Sequence, residues 1–200
     1  LFAAPLFVLS GKLILHGGIS ERLILWINYI FGFAKLRLTF VNVFGSMFFG
    51  GISGSATADS AAIGSVLIPE MEKQNYPKNY SAAITAASSS IGIIVPPSVP
   101  MILAGSVTSV SVMKLFVGGY GPGVLIALSL AITAYLLRPR KIEEEKIEYT
   151  PKNIVNSTYK ALPAIIFPLI IMVGILSGIF TATEAAAVAV FYASLVAFLI

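Results

Sequence analysis

The run Gly50-Gly51-Ile52-Ser53-Gly54-Ser55-Ala56-Thr57-Ala58-Asp59-Ser60-Ala61-Ala62 concentrates glycines, hydroxyls and the chain's one aspartate between two apolar stretches. Small side chains let two backbones come close, and glycine lets a helix stop and turn, baring its last carbonyls and first amides. In hydrocarbon such a break persists only where protein or a wet cavity covers it. The run therefore reads as the tip of a re-entrant helical hairpin that turns oxygen atoms toward a solute and its coupling ion. A second interruption follows, Ser88-Ser89-Ser90-Ile91-Gly92 and then Pro96-Pro97-Ser98-Val99-Pro100. Pro97 and Pro100 have no N–H and clash with a continuing helix, so the segment must unwind there. Paired interrupted helices point to a transporter site near the bilayer midplane. Their freed carbonyls can hold a dehydrated cation, and their exposed N-termini can face an anion. Proline-kinked helices with buried serines also occur with no ligand at all.

Asp59 and Glu184 are the acidic residues outside polar or interfacial stretches. A charge at the bilayer centre costs about 2.5–3.5 kcal/mol on insertion scales, so each needs a reason. Asp59 also fits a helix cap at the start of the hairpin's second arm. Glu184 fits a capping box, Thr181-Ala182-Thr183-Glu184, better than it fits a site. An enzyme reading has a weak foothold in Gly51-Ile52-Ser53-Gly54, the short serine motif of rhomboid intramembrane proteases. Serine chemistry needs a base, and the single histidine, His16, precedes the serine rather than following it. An aspartyl protease needs two aspartates. No catalytic residue is assigned.

Composition sets the class. The chain is 57% hydrophobic and 11% charged, with mean hydropathy +0.91, where a soluble domain carries about 25% charged residues. Cysteine is absent, and one histidine makes no transition-metal cluster. No cofactor is expected. The net charge of +4 comes from basic residues that flank apolar runs, the distribution of membrane orientation and not of nucleic-acid binding.

The expected fold is all-α: a polytopic membrane protein with a re-entrant hairpin and broken helices. Residues 1–16 end a membrane helix that Gly17-Gly18 breaks, and Ser20 is placed to cap the next helix at Glu21. Residues 20–31, with Trp26 and Tyr29, read as an amphipathic piece along the interface. Residues 38–69 form the hairpin, 80–104 the broken helix, 113–137 a span and 138–160 a polar linker. Spans resume at 161–180 and 184–200. If 38–69 crossed the membrane once, Lys35 and Arg37 would oppose Lys73 and Lys78. If it re-enters, all four share the cytoplasmic face with Arg138, Arg140 and Lys141, and of the basic residues weighed only Lys114 lies opposite. The chain starts without Met and stops inside an apolar run, which suits a fragment of a larger protein.

The stretches GISGSATADSAAIGSVLIPEM, AITAASSSIGIIVPPSVPMI and GIFTATEAAAVAV, with the opening PLFVLSGKLILHGGISERL, resemble the large membrane subunit of TRAP (tripartite ATP-independent periplasmic) transporters along nearly the whole chain. That resemblance implies a sodium-coupled elevator transporter of inverted repeats in a bacterial inner membrane. Residues 1–137 would be most of the first repeat, 138–160 a cytoplasmic linker and 161–200 the start of the second repeat. The implied partners are a small membrane subunit and a periplasmic solute-binding protein, and the implied solutes are organic acids such as C4-dicarboxylates or sialic acid. Carried onto this chain, sodium would be held at Gly54, Ser55, Ala56, Ser89 and Gly92. The solute would meet Ser53, Thr57, Asp59, Ser90, Pro96, Pro97 and Ser98. A related sodium/anion symporter that works without a binding protein is the alternative.

Overall fold

A computed structural model describes residues 2–139, 142–144 and 150–199. Arg140 and Lys141 of the expected basic face lie outside the described residues. The helices are α1 (Ala3–His16), α2 (Ile19–Ile30), α3 (Arg37–Ser53), α4 (Ala56–Lys73), α5 (Lys78–Ser89), α6 (Val99–Thr108), α7 (Val112–Leu136), α8 (Pro151–Leu176) and α9 (Ala182–Leu199), with a 3-10 turn at Ser90–Ile93. There is no strand among the described residues. By length and apolarity α7 and α8 can each cross a bilayer, and the bent pair α1–α2 is a third candidate. The all-helical, apolar architecture is that of a polytopic membrane protein.

Gly18, at φ 67°, turns the chain 71° between α1 and α2. It also takes the N-cap position expected of Ser20. Ser20 instead lies inside the first turn of α2, buried, with a hydroxyl that has no partner. The left-handed conformation needed for so sharp a bend suits glycine, so the helix starts at Ile19, two residues earlier than a serine cap would place it. The face Ile19, Leu23, Ile24 and Ile27 of α2 is buried, and the helix packs on α8. Trp26 donates from Nε1 to Thr158 Oγ1 at 3.0 Å and meets Phe48 edge-on at 5.4 Å. Its indole is therefore satisfied by protein.

That packing explains a second difference. The polar stretch expected as linker up to residue 160 is helical from Pro151. Proline at the first helical position is tolerated because that N–H is unpaired in any case. The early turns of α8 carry Lys152, Asn153, Asn156 and Lys160, so a hydropathy window passes over them, but Ser157 and Ala161 on one face are buried.

The hairpin is two antiparallel helices. Arg37 Nη2 donates to Gln74 Oε1 at 3.4 Å near the open end, and a Cβ on Gly45 would lie 3.5 Å from Ile63 Cδ1 nearer the turn. The turn is Gly54-Ser55, so residues just before α3 and just after α4 meet at one end. At 1.5 Å per residue each arm rises about 26 Å, slightly less than a hydrocarbon core of about 30 Å. The arms run past the apolar limits 38–69 because α4 continues through Pro69 to Lys73. Its last turns are held by polar pairs, Gln74 Nε2 to Glu70 Oε1 at 2.8 Å and Lys73 to Glu70 at 3.6 Å.

The break expected within 80–104 separates α5 from α6 across residues 90–98, the 3-10 turn followed by the irregular residues 94–98. Glu184 forms the capping box: its carboxylate accepts from Thr181 N at 2.8 Å, and Thr181 Oγ1 accepts from Glu184 N at 3.3 Å. α9 then lies along α1, close enough that a Cβ on Gly17 would be 3.4 Å from Ala197 Cα.

Candidate functional site

The hairpin tip rests on the break in the α5–α6 helix, backbone to backbone. A Cβ on Gly50 would sit 2.4 Å from Gly92 Cα, and one on Gly54 would sit 2.7 Å from the Pro97 carbonyl oxygen. Gly54, at φ 61°, closes α3, and its carbonyl accepts from Val99 N at 3.3 Å. Only hydrogen fits at these positions. The glycines of the two interruptions are thus the contact between them, and Pro96 and Pro97 are buried under the tip.

Ser55, not Asp59, caps α4: its side chain accepts from Ala58 N at 3.4 Å. The capping reading of Asp59 is overturned because the carboxylate lies a full turn into the helix. Asp59 is fully buried, and neither carboxylate oxygen accepts a hydrogen bond. Ser46 and Ser89 are the hydroxyls nearest to it, and each makes its well-formed hydrogen bond to another acceptor. Ser46 Oγ donates to Ser88 Oγ at 3.1 Å, and Ser89 Oγ donates to the Thr85 carbonyl at 2.7 Å. The network runs on: Ser88 Oγ donates to Asn42 Oδ1 at 2.9 Å, and Asn42 Nδ2 donates to Thr85 Oγ1 at 2.7 Å. Oxygens of α3, α4 and α5 thus converge on a carboxylate with no partner of its own. Burying such a charge is costly unless a cation or proton meets it.

Two cavities flank the tip. One, about 340 Å³, is lined by Gly11, Lys12, Ser53, Ser55 and Thr57. The other, about 510 Å³, is lined by Ala56, Thr57, Ser60, Ser89 and Ser90. Thr57 borders both, and its Oγ1 is 3.0 Å from Ser55 Oγ. Ser53, Ser55, Thr57, Ser89 and Ser90 therefore sit around one tip, with Gly54, Ala56, Asp59 and Gly92 directly behind them. Ser98 is occupied differently: it is buried, caps α6 by accepting from Met101 N at 3.4 Å, and donates to the Ile93 carbonyl at 2.6 Å.

Sequence reasoning missed Lys12, Asn42, Ser46, Thr85 and Ser88. A signal was present for each. Asn42 and Ser46 are four residues apart in α3, and Ser81, Thr85 and Ser88/Ser89 repeat at three to four residues in α5, so each set shares a helix face. Lys12 is the one lysine or arginine of the largely apolar helix α1, which by itself marks an intramembrane ionisable group.

A family model described as the DctM component of the tripartite ATP-independent periplasmic transporter matches residues 1–200. The chain belongs to this family. Among curated relatives, it is 38% identical over 197 residues to the 2,3-diketo-L-gulonate TRAP transporter large permease protein YiaN of Escherichia coli, covering 98% of this chain and 46% of that protein. It is 38% identical over 197 residues to the C4-dicarboxylate TRAP transporter large permease protein DctM of Pseudomonas aeruginosa, with the same coverages. It is 37% identical over 193 residues to the sialic acid TRAP transporter large permease protein SiaM of Vibrio cholerae, covering 96% of this chain and 45% of that protein. The chain spans about half the length of the curated relatives it matches. These DctM-family relatives are transporter permeases, not enzymes, which removes the protease reading of Ser53.

Proposed function

We propose that the chain is part of a permease, most of its first repeat and the start of its second, that imports an organic acid across the bacterial inner membrane, driven by sodium. The observation that carries this reading is Asp59: a buried carboxylate without a hydrogen bond, at the contact between a hairpin tip and a broken helix. Sodium is the cation it would meet, with oxygens supplied from Gly54, Ser55, Ala56, Ser89 and Gly92. The solute would enter beside Ser53, Thr57 and Ser90, near Pro96, Pro97 and the Ser98 turn. A small membrane subunit and a periplasmic solute-binding protein are the proposed partners, and the hairpin would re-enter from the cytoplasm and move as an elevator. Family membership and the acidic solutes in the names of the three relatives support this.

Lys12 supplies a cation beside the hydroxyls of Ser53, Ser55 and Thr57, the donor set a carboxylate needs. Lys12→Gln is therefore expected to raise the solute concentration for half-maximal uptake about tenfold or more, with Lys12→Arg recovering most of it. A charge-assisted hydrogen bond of about 1.5–3 kcal/mol corresponds to that factor. Uptake by the full-length permease in vesicles, with its partner proteins added, gives the measurement; equal half-saturation in parent and Gln variant would remove Lys12 from the site.

Electrical drive bounds the stoichiometry. Each net charge moved is worth about 2.3 kcal/mol per 100 mV. A monoanion with one sodium gains nothing from the potential, so at least two sodium ions per monoanion are proposed, and three for a dianion. The deciding experiment is solute uptake by reconstituted full-length permease against external sodium, with and without an inside-negative potential. Uptake indifferent to sodium would overturn the coupling. For topology, single cysteines at positions 35 and 75, both exposed, should label from the cytoplasmic side alone.

A further inference from the structure

α3 starts without a cap of its own. Its N-cap residue is Leu36, in the left-handed conformation at φ 68°, whose side chain has no oxygen to offer. The acceptor comes from 107 residues further along the chain. Glu144 Oε2 accepts from Arg37 N at 3.0 Å, and Oε1 accepts from Leu38 N at 3.0 Å. The Tyr76 hydroxyl donates to the same Oε1. Its neighbour adds two bonds: Glu143 N donates to the Gln74 carbonyl at 3.4 Å, and Asn75 Nδ2 donates to Glu143 Oε2 at 3.3 Å.

Residues 143 and 144 thus hold both chains at the open end of the hairpin, the first turn of α3 and the turn after α4. A carboxylate is suited to this place because it accepts from two free amides at once and answers the positive end of the helix dipole. Tyr76 is buried there, and burial together with the adjacent carboxylate pushes its phenol pKa upward, so it stays a donor. We propose that Glu144 is a positioning residue of the transport cycle: it caps α3 and, with Glu143, fastens the segment 142–144 to the hairpin base, so that this segment and the hairpin move as one body. The movement rests on the transport reading above; the fastening rests on these bonds alone.

The test uses the full-length permease with all native cysteines replaced. Asn75→Cys and Glu143→Cys together should be bridged by a short bifunctional maleimide in high yield. Bridged permease in vesicles with its partner proteins should take up solute within about twofold of the unbridged sample. A tenfold loss on bridging would show that segment and hairpin must part, and absence of bridging would show that they are not neighbours; either overturns the proposal. In the purified protein, Glu144→Ala should speed hydrogen exchange of the amides at 37 and 38 at least tenfold while α7 is unchanged. Glu144→Gln, which keeps one acceptor oxygen, should fall between. Unchanged exchange at 37 and 38 in both variants overturns the cap. In uptake, Glu144→Ala should lower the maximal rate at least fivefold and leave half-saturation unchanged, because the solute site lies at the opposite end of the arm. If no variant or parent takes up solute, the transport reading has failed while bridging and exchange still decide the fastening.

Discussion

Asp59→Asn is expected to abolish the dependence of uptake on sodium while leaving the permease at least as stable as the parent in sodium-free buffer. Asparagine keeps the shape of the side chain and removes its charge. The carboxylate has no hydrogen bond and no exposure, so without a cation its charge works against the fold. With a cation, the buried pair is worth about 3–5 kcal/mol when one partner is deleted, a factor of at least about a hundred in ion affinity. The two measurements therefore move in different directions, which an ordinary core substitution does not do. Uptake against sodium concentration and thermal unfolding with and without sodium give the readout. A variant with the parent's sodium response would move the ion site away from Asp59.

Gly50→Ala should be the most disruptive single methyl in the hairpin. The new carbon would lie 2.4 Å from Gly92 Cα, and both partners are backbone, so no rotamer change relieves the clash. Overpacking costs about 1–3 kcal/mol, and this site belongs at the top of that range. Loss of thermal stability and loss of uptake should occur together, since the clash pushes the tip off the broken helix. Gly118→Ala is the matched control: nothing lies within 4 Å of its added carbon, and helix propensity favours alanine by about 1 kcal/mol. A Gly50→Ala permease as stable as the Gly118 variant would mean that the tip and the break do not touch.

The interruptions were readable because glycine and proline act locally. Pro97 breaks a helix by its own covalent structure, while Pro100, also expected to break one, sits in the first turn of α6 where a missing N–H is tolerated; Gly54 turns a helix by its own φ. The Thr181–Glu184 box was readable for the same reason, since both partners lie within one turn. Ser20 and Asp59 show where local rules stop. Each has the chemistry of a cap, but Gly18 and Ser55 hold the geometry, and only the backbone path decides between neighbours. The network of Asn42, Ser46, Thr85 and Ser88 joins two helices, so its spacing was visible and its pairing was not. Lys12 needed the tip to be placed beside α1 before its charge had a use. The early start of α8 was hidden because polar residues there face outward while Ser157 and Ala161 pack inward.

The cap on α3 also has a consequence for biosynthesis. Glu144 leaves the ribosome 107 residues after Arg37, an interval of roughly 5–20 s at common elongation rates. The hairpin must wait at the translocon through that interval with water on its first amides, and its base is sealed only when the segment 142–144 emerges behind α7. A nascent chain halted before residue 144 should thus expose the α3 base to proteolysis, and one halted a few tens of residues later should not.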